Sequence, residues 1–105
     1  DIAGVSAEKN LIPDNFRLFQ NYPNPFNPIT TIQYNIKEPS FVTIRLYNIL
    51  GGEVKTLVRG QLSPGHYSVQ WDGTDDHGYK LPAGIYFYRL QAGSEKHTRK
   101  LMLLK

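Results

Sequence analysis

The amino-acid sequence predicts an all-β protein, and three observations lead to this prediction. No window of about a dozen residues keeps apolar side chains at the three-to-four-residue spacing of an amphipathic helix. Short stretches in which apolar and polar residues alternate recur along the chain, as in strands that bury one face. Glycine and proline separate these stretches at intervals of roughly ten residues, which is typical of turns between the strands of a sandwich.

Seven strands can be assigned in order along the chain. The third is the clearest, because Val42, Ile44 and Leu46 alternate with polar residues and are predicted to face the core. The predicted strands cover residues 16–20, 31–36, 41–48, 54–58, 66–71, 85–91 and 95–104. Seven short strands without intervening helices favour an antiparallel β-sandwich of immunoglobulin-like type.

The segments between the strands carry turn residues. Residues 50–53 (LGGE) predict a hairpin turn, because glycine tolerates the positive φ of tight turns. Gly60 and the Pro64-Gly65 pair are interpreted as the bounds of the loop before the fifth strand. Residues 72–84 are predicted to form a long loop before the sixth strand.

The same alternation divides the aromatic side chains between core and surface. Trp71 is in phase with Val69 and Tyr67, so it is predicted to lie in the core. Residues 86–88 (Tyr-Phe-Tyr) are consecutive, so neighbours must point to opposite faces and at least one ring lies outside the core. Outward rings leave two interpretations open, cross-strand packing and a surface that stacks on sugars.

Length, charge and composition bound the functions that are compatible with the sequence. At 105 residues the chain is predicted to form one domain, and the absence of cysteine excludes disulfides and thiolate metal sites. The formal charge of +3 is modest, and the nearest cationic cluster, residues 96–100, lacks the helix or stacking rings of a nucleic-acid interface. No apolar run reaches the roughly 18 residues of a membrane span. Neither nucleic-acid binding nor a membrane span is therefore expected.

The start of the sequence is interpreted as a linker. It begins with an acidic residue, and no basic-then-apolar signal pattern follows. The chain is therefore expected to be a piece of a longer polypeptide. In this interpretation residues 1–12 are a linker from the parent protein, and residues 13–105 form the domain.

Candidate catalytic and metal-binding residues are few. Asp72, Asp75 and Asp76 form a calcium candidate, because the spacing of the first and last is similar to the start of a calcium loop. The loop departs from that pattern at its sixth position, which is His77, and it has no glutamate at the twelfth. Hydrogen bonding of the carboxylates to nearby amides is the favoured interpretation. The histidines and serines show no catalytic spacing, so no catalytic residue, bound metal or cofactor is predicted.

Residues 21–31 (NYPNPFNPITT) form a stiff and polar stretch. Its three prolines fix φ and remove amide donors, and its asparagines can satisfy backbone groups in tight turns. The rings of Tyr22 and Phe26 are expected to pin the stretch onto the sandwich. It is therefore interpreted as a rigid lead-in to the first long strand, with turn chemistry rather than a catalytic role.

Five segments, taken in order, carry a resemblance to a known family. They are LFQNYPNPFNPITTIQY (18–34), RLYNILGGEVKTL (45–57), GHYSVQWDGTDDHG (65–78), LPAGIYFYRL (81–90) and TRKLMLLK (98–105). Over residues 13–105 the chain resembles the type A C-terminal sorting domain of proteins exported by the type IX secretion system. The third and fourth segments are also similar to the immunoglobulin-like domain of flagellar hook-capping proteins.

The resemblance assigns motif or structural roles to residues in these segments. They are Asn21, Tyr22, Pro23, Asn24, Pro25, Phe26, Asn27, Pro28, Trp71, Asp72, Gly73, Gly78, Gly84 and Tyr86. It also implies that a secretion translocon reads the last residues of the chain. These candidate recognition residues are Lys100, Leu101, Met102, Leu103, Leu104 and Lys105.

The resemblance implies a role in export rather than a reaction. The domain is expected to be a non-catalytic signal that follows an N-terminal cargo domain and is recognised at the outer membrane by the translocon. A sortase-like peptidase can then cleave the linker, and the cargo becomes secreted or attached to the surface of a Gram-negative bacterium after crossing the periplasm. The outward aromatic rings favour one alternative, a carbohydrate-binding or adhesive module of an extracellular enzyme.

Overall fold

Seven β-strands build the domain in a computed structural model, which describes residues 12–104. They are β1 (Arg17–Leu18), β2 (Thr30–Ile36), β3 (Ser40–Tyr47), β4 (Glu53–Leu62), β5 (Gly65–Trp71), β6 (Gly84–Ala92) and β7 (Glu95–Leu103). The strands form two antiparallel sheets, one in the order β1-β2-β5 and the other in the order β4-β3-β6-β7. The predicted immunoglobulin-like β-sandwich of about seven strands is confirmed.

The two sheets enclose one core, which is built from alternating side chains. On β3, Val42, Ile44 and Leu46 are completely buried, as their spacing predicts. On β5 the alternation ends at Trp71, whose side chain is also buried. The prediction that Trp71 lies in the core is confirmed.

The three consecutive aromatic residues of β6 divide between the two faces of the sheet. Tyr86 and Tyr88 are buried in the core, whereas Phe87 is half-buried on the outer face. The prediction that at least one of these rings lies outside the core is confirmed.

The strand β4 is longer than predicted. It continues to Leu62 and includes Gly60, which the sequence had suggested as the bound of a loop. Gly60 lies opposite Val42, inside the regular part of the ladder with β3 that precedes the register shift after Ile44. This pairing overrides the weak strand preference of glycine, so the predicted boundary was wrong.

The strand β1 is shorter than predicted. It keeps two of the predicted residues 16–20 and pairs with β2. One further backbone bond joins the amide N of Phe19 to the carbonyl O of Gln33 at 3.0 Å. Pairing with β2 continues as an isolated bridge between Tyr22 and Thr31.

The hairpin turn between β3 and β4 follows the prediction. Gly51 has a φ of 87°, a left-handed conformation that favours glycine. The Oδ1 atom of Asn48 accepts hydrogen bonds from the amides of Leu50 at 3.0 Å and Gly52 at 2.9 Å. The asparagine side chain therefore closes the turn.

Candidate recognition site at the last strand

The outer edge of β7 is covered by residues 21–29, here called the proline-rich segment. The amide N of Phe26 donates to the carbonyl O of Met102 at 3.1 Å, and the amide N of Leu104 donates to the carbonyl O of Phe26 at 2.9 Å. The Oδ1 atom of Asn24 accepts from the amide N of Met102 at 2.9 Å. Three cis peptide bonds of the segment precede Pro23, Pro25 and Pro28. The segment thus pairs with backbone groups that an edge strand would otherwise expose.

The residues just before the proline-rich segment extend this contact. Gln20 donates from Nε2 to the carbonyl O of Lys100 at 2.8 Å. Arg99 of β7 donates from Nε to the carbonyl O of Leu18 at 2.7 Å. Residues 18–26 therefore follow β7 along its outer edge, on the side opposite β6.

A buried polar network anchors the start of the proline-rich segment. The amide N of Asn21 donates to the hydroxyl of Tyr88 at 2.8 Å, and this hydroxyl donates to the carbonyl O of Phe19 at 2.7 Å. The Asn21 side chain is buried and donates from Nδ2 to the Thr30 hydroxyl at 2.9 Å. The Thr30 hydroxyl in turn donates to the carbonyl O of Pro23 at 2.8 Å. The polar groups of the segment are thereby satisfied inside the sandwich.

The position of Tyr88 perturbs its ionisation. Burial raises the pKa of Tyr88 to about 12, although the hydrogen bond from Asn21 and the charge of Arg99 act in the opposite direction. An ordinary tyrosine titrates near pH 10. Because the folded pKa is the higher one, the neutral hydroxyl stabilises the fold fully below about pH 10. This stabilisation is lost as the pH rises towards about 12.

Tyr88→Phe should lower the free energy of unfolding by about 1–3 kcal/mol at pH 8, because Asn21 loses a buried acceptor and Phe19 a buried donor. Between pH 10 and 12 the original protein should lose stability on the order of 2 kcal/mol through this hydroxyl. The variant lacks the hydroxyl, so the difference in the free energy of unfolding between the two proteins should become smaller over this pH range. Urea unfolding of both proteins at pH 8, 10 and 11 measures this difference. A difference that does not change with pH would contradict the stabilising role of the buried hydroxyl.

Phe26 carries the proline-rich segment into the aromatic core. Its side chain is buried, and its ring centroid lies 5.4 Å from that of Trp71 in a tilted arrangement. Trp71 meets Tyr86 edge-to-face at 5.7 Å, and its Nε1 donates to the carbonyl O of Thr74 at 2.9 Å. The prediction that the Phe26 ring pins the segment to the sandwich is confirmed.

Tyr22 does not have the role that its sequence position suggested. Its side chain is 80% exposed, so the prediction that its ring pins the segment was wrong. The backbone holds this position instead, because Tyr22 and Thr31 exchange two hydrogen bonds of 2.9 Å. With the backbone paired in this way, the tyrosine ring lies in solvent. The residue type alone does not indicate this orientation.

Four of the five segments that carry the resemblance meet in one cleft at this end of the sandwich. Its volume is about 310 Å³. The lining residues are Asn27, Pro28, Asp72, Gly73, Lys80, Leu81, Pro82, Leu103 and Leu104. Positions that are far apart in sequence thus form a continuous surface around the end of β7.

Gly73 fits the close approach of the loop to β7. Its φ is 81°, and a Cβ atom at this position would lie 3.2 Å from Cδ1 of Leu103. A side chain would therefore be strained and would push against a core residue of β7. Close packing against Leu103 therefore explains why the residue that follows Trp71 and Asp72 is a glycine.

The aspartates of the loop are engaged in turn hydrogen bonds. Asp72 accepts from the hydroxyl of Thr74 at 2.6 Å, which lowers the pKa of the Asp72 carboxyl. Asp75 accepts from the amides of His77 at 2.8 Å and Tyr79 at 3.0 Å. Within residues 12–104, no group of three or more histidine or acidic side chains could hold a metal ion. The loop shows the amide bonding expected of turn aspartates.

The same loop also reaches the free side of β4. Asp76 accepts from the amide N of Thr56 at 3.1 Å, and its own amide N donates to the carbonyl O of Val54 at 3.2 Å. The third carboxylate of the calcium candidate is therefore used to attach the loop to a strand edge.

The candidate recognition residues of the last strand are divided between core and surface. Leu101 and Leu103 are buried, whereas Lys100, Met102 and Leu104 are exposed. Lys105 lies outside the described residues. In the folded domain, a partner can therefore reach only the outward side chains of residues 100–104. The alternation of residues along the strand indicates which of these side chains are buried and which are exposed. The resemblance, in contrast, assigns one recognition role to all of them.

The fold and the geometry of the loop define an immunoglobulin-like β-sandwich domain. The family model described as the FlgD Ig-like domain matches residues 28–96, more than half of the chain, and the chain belongs to this family. The match does not include Asn21–Asn27 or the end of β7. No significant match was found among curated proteins.

Two solved structures are similar to the domain. Dimeric latent PorU from Porphyromonas gingivalis aligns with a TM-score of 0.70 and 19% identity, over 90% of this chain and 10% of the PorU chain. FlgD from P. aeruginosa aligns with a TM-score of 0.55 and 28% identity, over 70% of this chain and 57% of the FlgD chain. The chain thus corresponds to one tenth of the first protein and little more than half of the second. The first likeness concerns the fold alone.

The described residues include no helix that could cross a membrane.

Proposed function

We propose that the domain is a non-catalytic secretion signal, recognised in its folded state by the outer-membrane translocon of the type IX system. One observation carries the proposal, the meeting of four resembling segments in the cleft at the end of β7. Residues that only maintain a sandwich core need not gather at one solvent-facing end. Residues that form a recognition surface must do so.

The closed edge of β7 favours recognition of the folded domain. The proline-rich segment occupies the backbone groups through which a partner could add a strand, so recognition depends on side chains. Leu104 lines the cleft, and Lys100 and Met102 precede it on the outward side of β7. These three exposed side chains supply one cation and two apolar groups. We expect the translocon to contact these three side chains.

The proposal includes the position of the domain in its parent protein. A cargo domain precedes it, and residues 1–12 form the linker in which a sortase-like peptidase cuts after export. The cargo is then secreted or held at the cell surface. Residues 1–11 of this linker lie outside the described residues.

The experiment is export of a reporter. A periplasmic reporter fused to residues 12–105 should reach the medium or the cell surface of a host with a type IX system. Lys100→Glu combined with Met102→Glu should abolish export without unfolding, because both side chains are exposed. A control pair, Gln33→Glu with Gln70→Glu, adds two carboxylates to the outer face of the other sheet and should leave export unchanged.

Circular dichroism of the purified fusions checks that all of them are folded. Two results would count against the proposal. One is a fusion that stays in the periplasm although its sorting domain is folded. The other is normal export of the Lys100 and Met102 variant.

Stacking on neutral sugars is not proposed. The most exposed aromatic side chains are Tyr22, Phe41 and Tyr79, which belong to the proline-rich segment, β3 and a loop, respectively. A sugar-stacking site requires rings that form one platform. The described residues place these three rings on separate elements.

A further inference from the structure

The outer face of the four-stranded sheet, here called the basic face, is rich in cations. Alternation along β3, β4, β6 and β7 directs every second side chain to this face. Its cationic side chains are Arg45, Arg59, Arg89, Lys96 and Lys100. Glu53 is its one carboxylate within residues 12–104. The face therefore concentrates positive charge on a protein whose net charge is only +3.

Two arginines face each other at the centre of the basic face. Arg45 on β3 is the direct cross-strand partner of Arg89 on β6. Like charges in this arrangement destabilise a sheet. The Nε atom of Arg45 lies 3.7 Å from Oε2 of Glu53, and both side chains are partly exposed, so this ion pair gives little compensation. The remaining side-chain hydrogen bonds are long, from Arg89 Nε to the Thr98 hydroxyl at 3.3 Å and from Arg45 to the Thr43 hydroxyl at 3.5 Å, so they offset the repulsion only weakly.

Aromatic rings hold two of the arginines in place. The guanidinium carbon of Arg89 lies 5.3 Å from the ring centroid of Tyr47, and that of Arg59 lies 5.7 Å from the ring centroid of Phe41. A guanidinium above a ring is pre-organised, and its N–H edge can bind a carboxylate or sulfate in a bidentate manner. The basic face therefore presents ordered rather than freely rotating donors.

The other sheet has fewer cations on its outer face, where its described strands place only Arg17 of β1, opposite Asn35. The outward side chains of β2 and β5 are Thr31, Gln33, Asn35, His66, Ser68 and Gln70, which carry no permanent charge. A surface that served only solubility would mix both charges over both faces. The difference between the two faces indicates a specific use for the cations.

We propose that the basic face binds an acidic polysaccharide, through the carboxylates or sulfates repeated along its chain. The cations extend across all four strands, over a width of about 14 Å at the usual strand spacing. Arg45 and Arg89 each line a depression that is open to solvent, of about 330 and 280 Å³ respectively, so the face suits a linear ligand better than a single ion. This binding goes beyond the proposed secretion signal, because the two surfaces share only Lys100, and the Arg45–Arg89 pair belongs to neither the cleft nor the proline-rich segment.

Two other classes of partner fit the basic face less well. The centre of a protein–protein interface is depleted of charged residues, whereas the centre of this face is an arginine pair. Single-stranded nucleic acid needs open rings on which bases stack, whereas guanidinium groups lie over Tyr47 and Phe41. Repeated negative charge without a stacking requirement favours the polysaccharide.

Affinity electrophoresis and calorimetry of the 105-residue chain test the proposal. The probes are polygalacturonate, dextran sulfate, neutral dextran and a single-stranded oligonucleotide. Arg45→Gln with Arg89→Gln should weaken binding of both acidic polysaccharides at least about tenfold at low salt. The matched control is Arg17→Gln with Lys37→Gln, because Arg17 also stacks on a ring, that of Phe19 at 4.4 Å, but belongs to the other sheet. This control should change the affinity less than about twofold.

The outcomes separate the possibilities. Binding of at least one acidic polysaccharide that falls with added salt and is lost in the arginine variant supports the proposal. It is overturned by equal binding of neutral dextran, by tighter binding of the oligonucleotide, or by the same loss in the control pair. If Arg45→Gln with Arg89→Gln fails to fold, Arg59→Gln with Lys96→Gln replaces it, and unchanged affinity in that variant overturns the proposal. The export experiment and the binding experiment are independent, so a failure of reporter export would not change the conclusion about polysaccharide binding.

Discussion

Replacing Phe26 by alanine should lower the free energy of unfolding by about 3–5 kcal/mol. The ring is buried against Trp71, and the backbone of the same residue forms two hydrogen bonds to β7. Removing the ring opens a cavity at the point where the proline-rich segment joins the core. Urea unfolding followed by the fluorescence of the single tryptophan measures the loss.

The matched control is Tyr22→Ala in the same segment. The Tyr22 side chain is 80% exposed, so its removal should change the stability by less than about 0.5 kcal/mol. A loss below about 1 kcal/mol for Phe26→Ala would mean that the segment is not attached through its phenylalanine.

Trp71→Ala should also cost about 3–5 kcal/mol. The indole is 1% exposed, contacts both Phe26 and Tyr86, and donates from Nε1 to the carbonyl of Thr74. Far-ultraviolet circular dichroism follows the unfolding, because this variant has no tryptophan fluorescence. A cost below about 1 kcal/mol would place the indole outside the core.

The two substitutions should not be additive. The rings of Phe26 and Trp71 are in contact, so the double variant should lose about 0.5–1.5 kcal/mol less than the sum of the single losses. Circular dichroism measures all four proteins on the same scale. Strict additivity would show that the rings do not stabilise each other.

The strands could be predicted from the sequence because their signal is local. Alternation along β3 identifies Val42, Ile44 and Leu46 as core residues without knowledge of any partner strand. The same reasoning found Trp71. It failed at Gly60, because the preference of one residue was outweighed by its cross-strand pairing.

The candidate site could be predicted only in part. Its residues were noticed through their resemblance to a family, but no local pattern indicates that Asn24 bonds to Met102, 78 positions away. Asn21 looks like a turn residue in the sequence, yet its side chain is buried and bonded to Thr30. Contacts of this kind depend on the relative position of two sheets, which periodicity does not specify.

The basic face was less predictable from the sequence than the strands and more predictable than the candidate site. Alternation alone placed Arg45 on an outward position, whereas Arg59 lay beyond the predicted end of the fourth strand at residue 58. The opposition of Arg45 and Arg89, however, required the register of β3 against β6. Because Arg45, Arg59 and Arg89 are far apart along the chain, the sequence showed only the cluster at residues 96–100 and not the larger one on the folded sheet.

The attachment of the proline-rich segment to β7 makes the domain sensitive to the completeness of its own synthesis. Leu101 and Leu103 fill the core, and Met102 and Leu104 supply the backbone partners of Phe26. A polypeptide that stops before Leu101 lacks all four and leaves the buried face of Phe26 without its neighbour. The native fold can therefore close only after translation has passed residue 104. Any partner that binds only the closed fold would therefore distinguish a chain that reaches residue 104 from one that stops before Leu101.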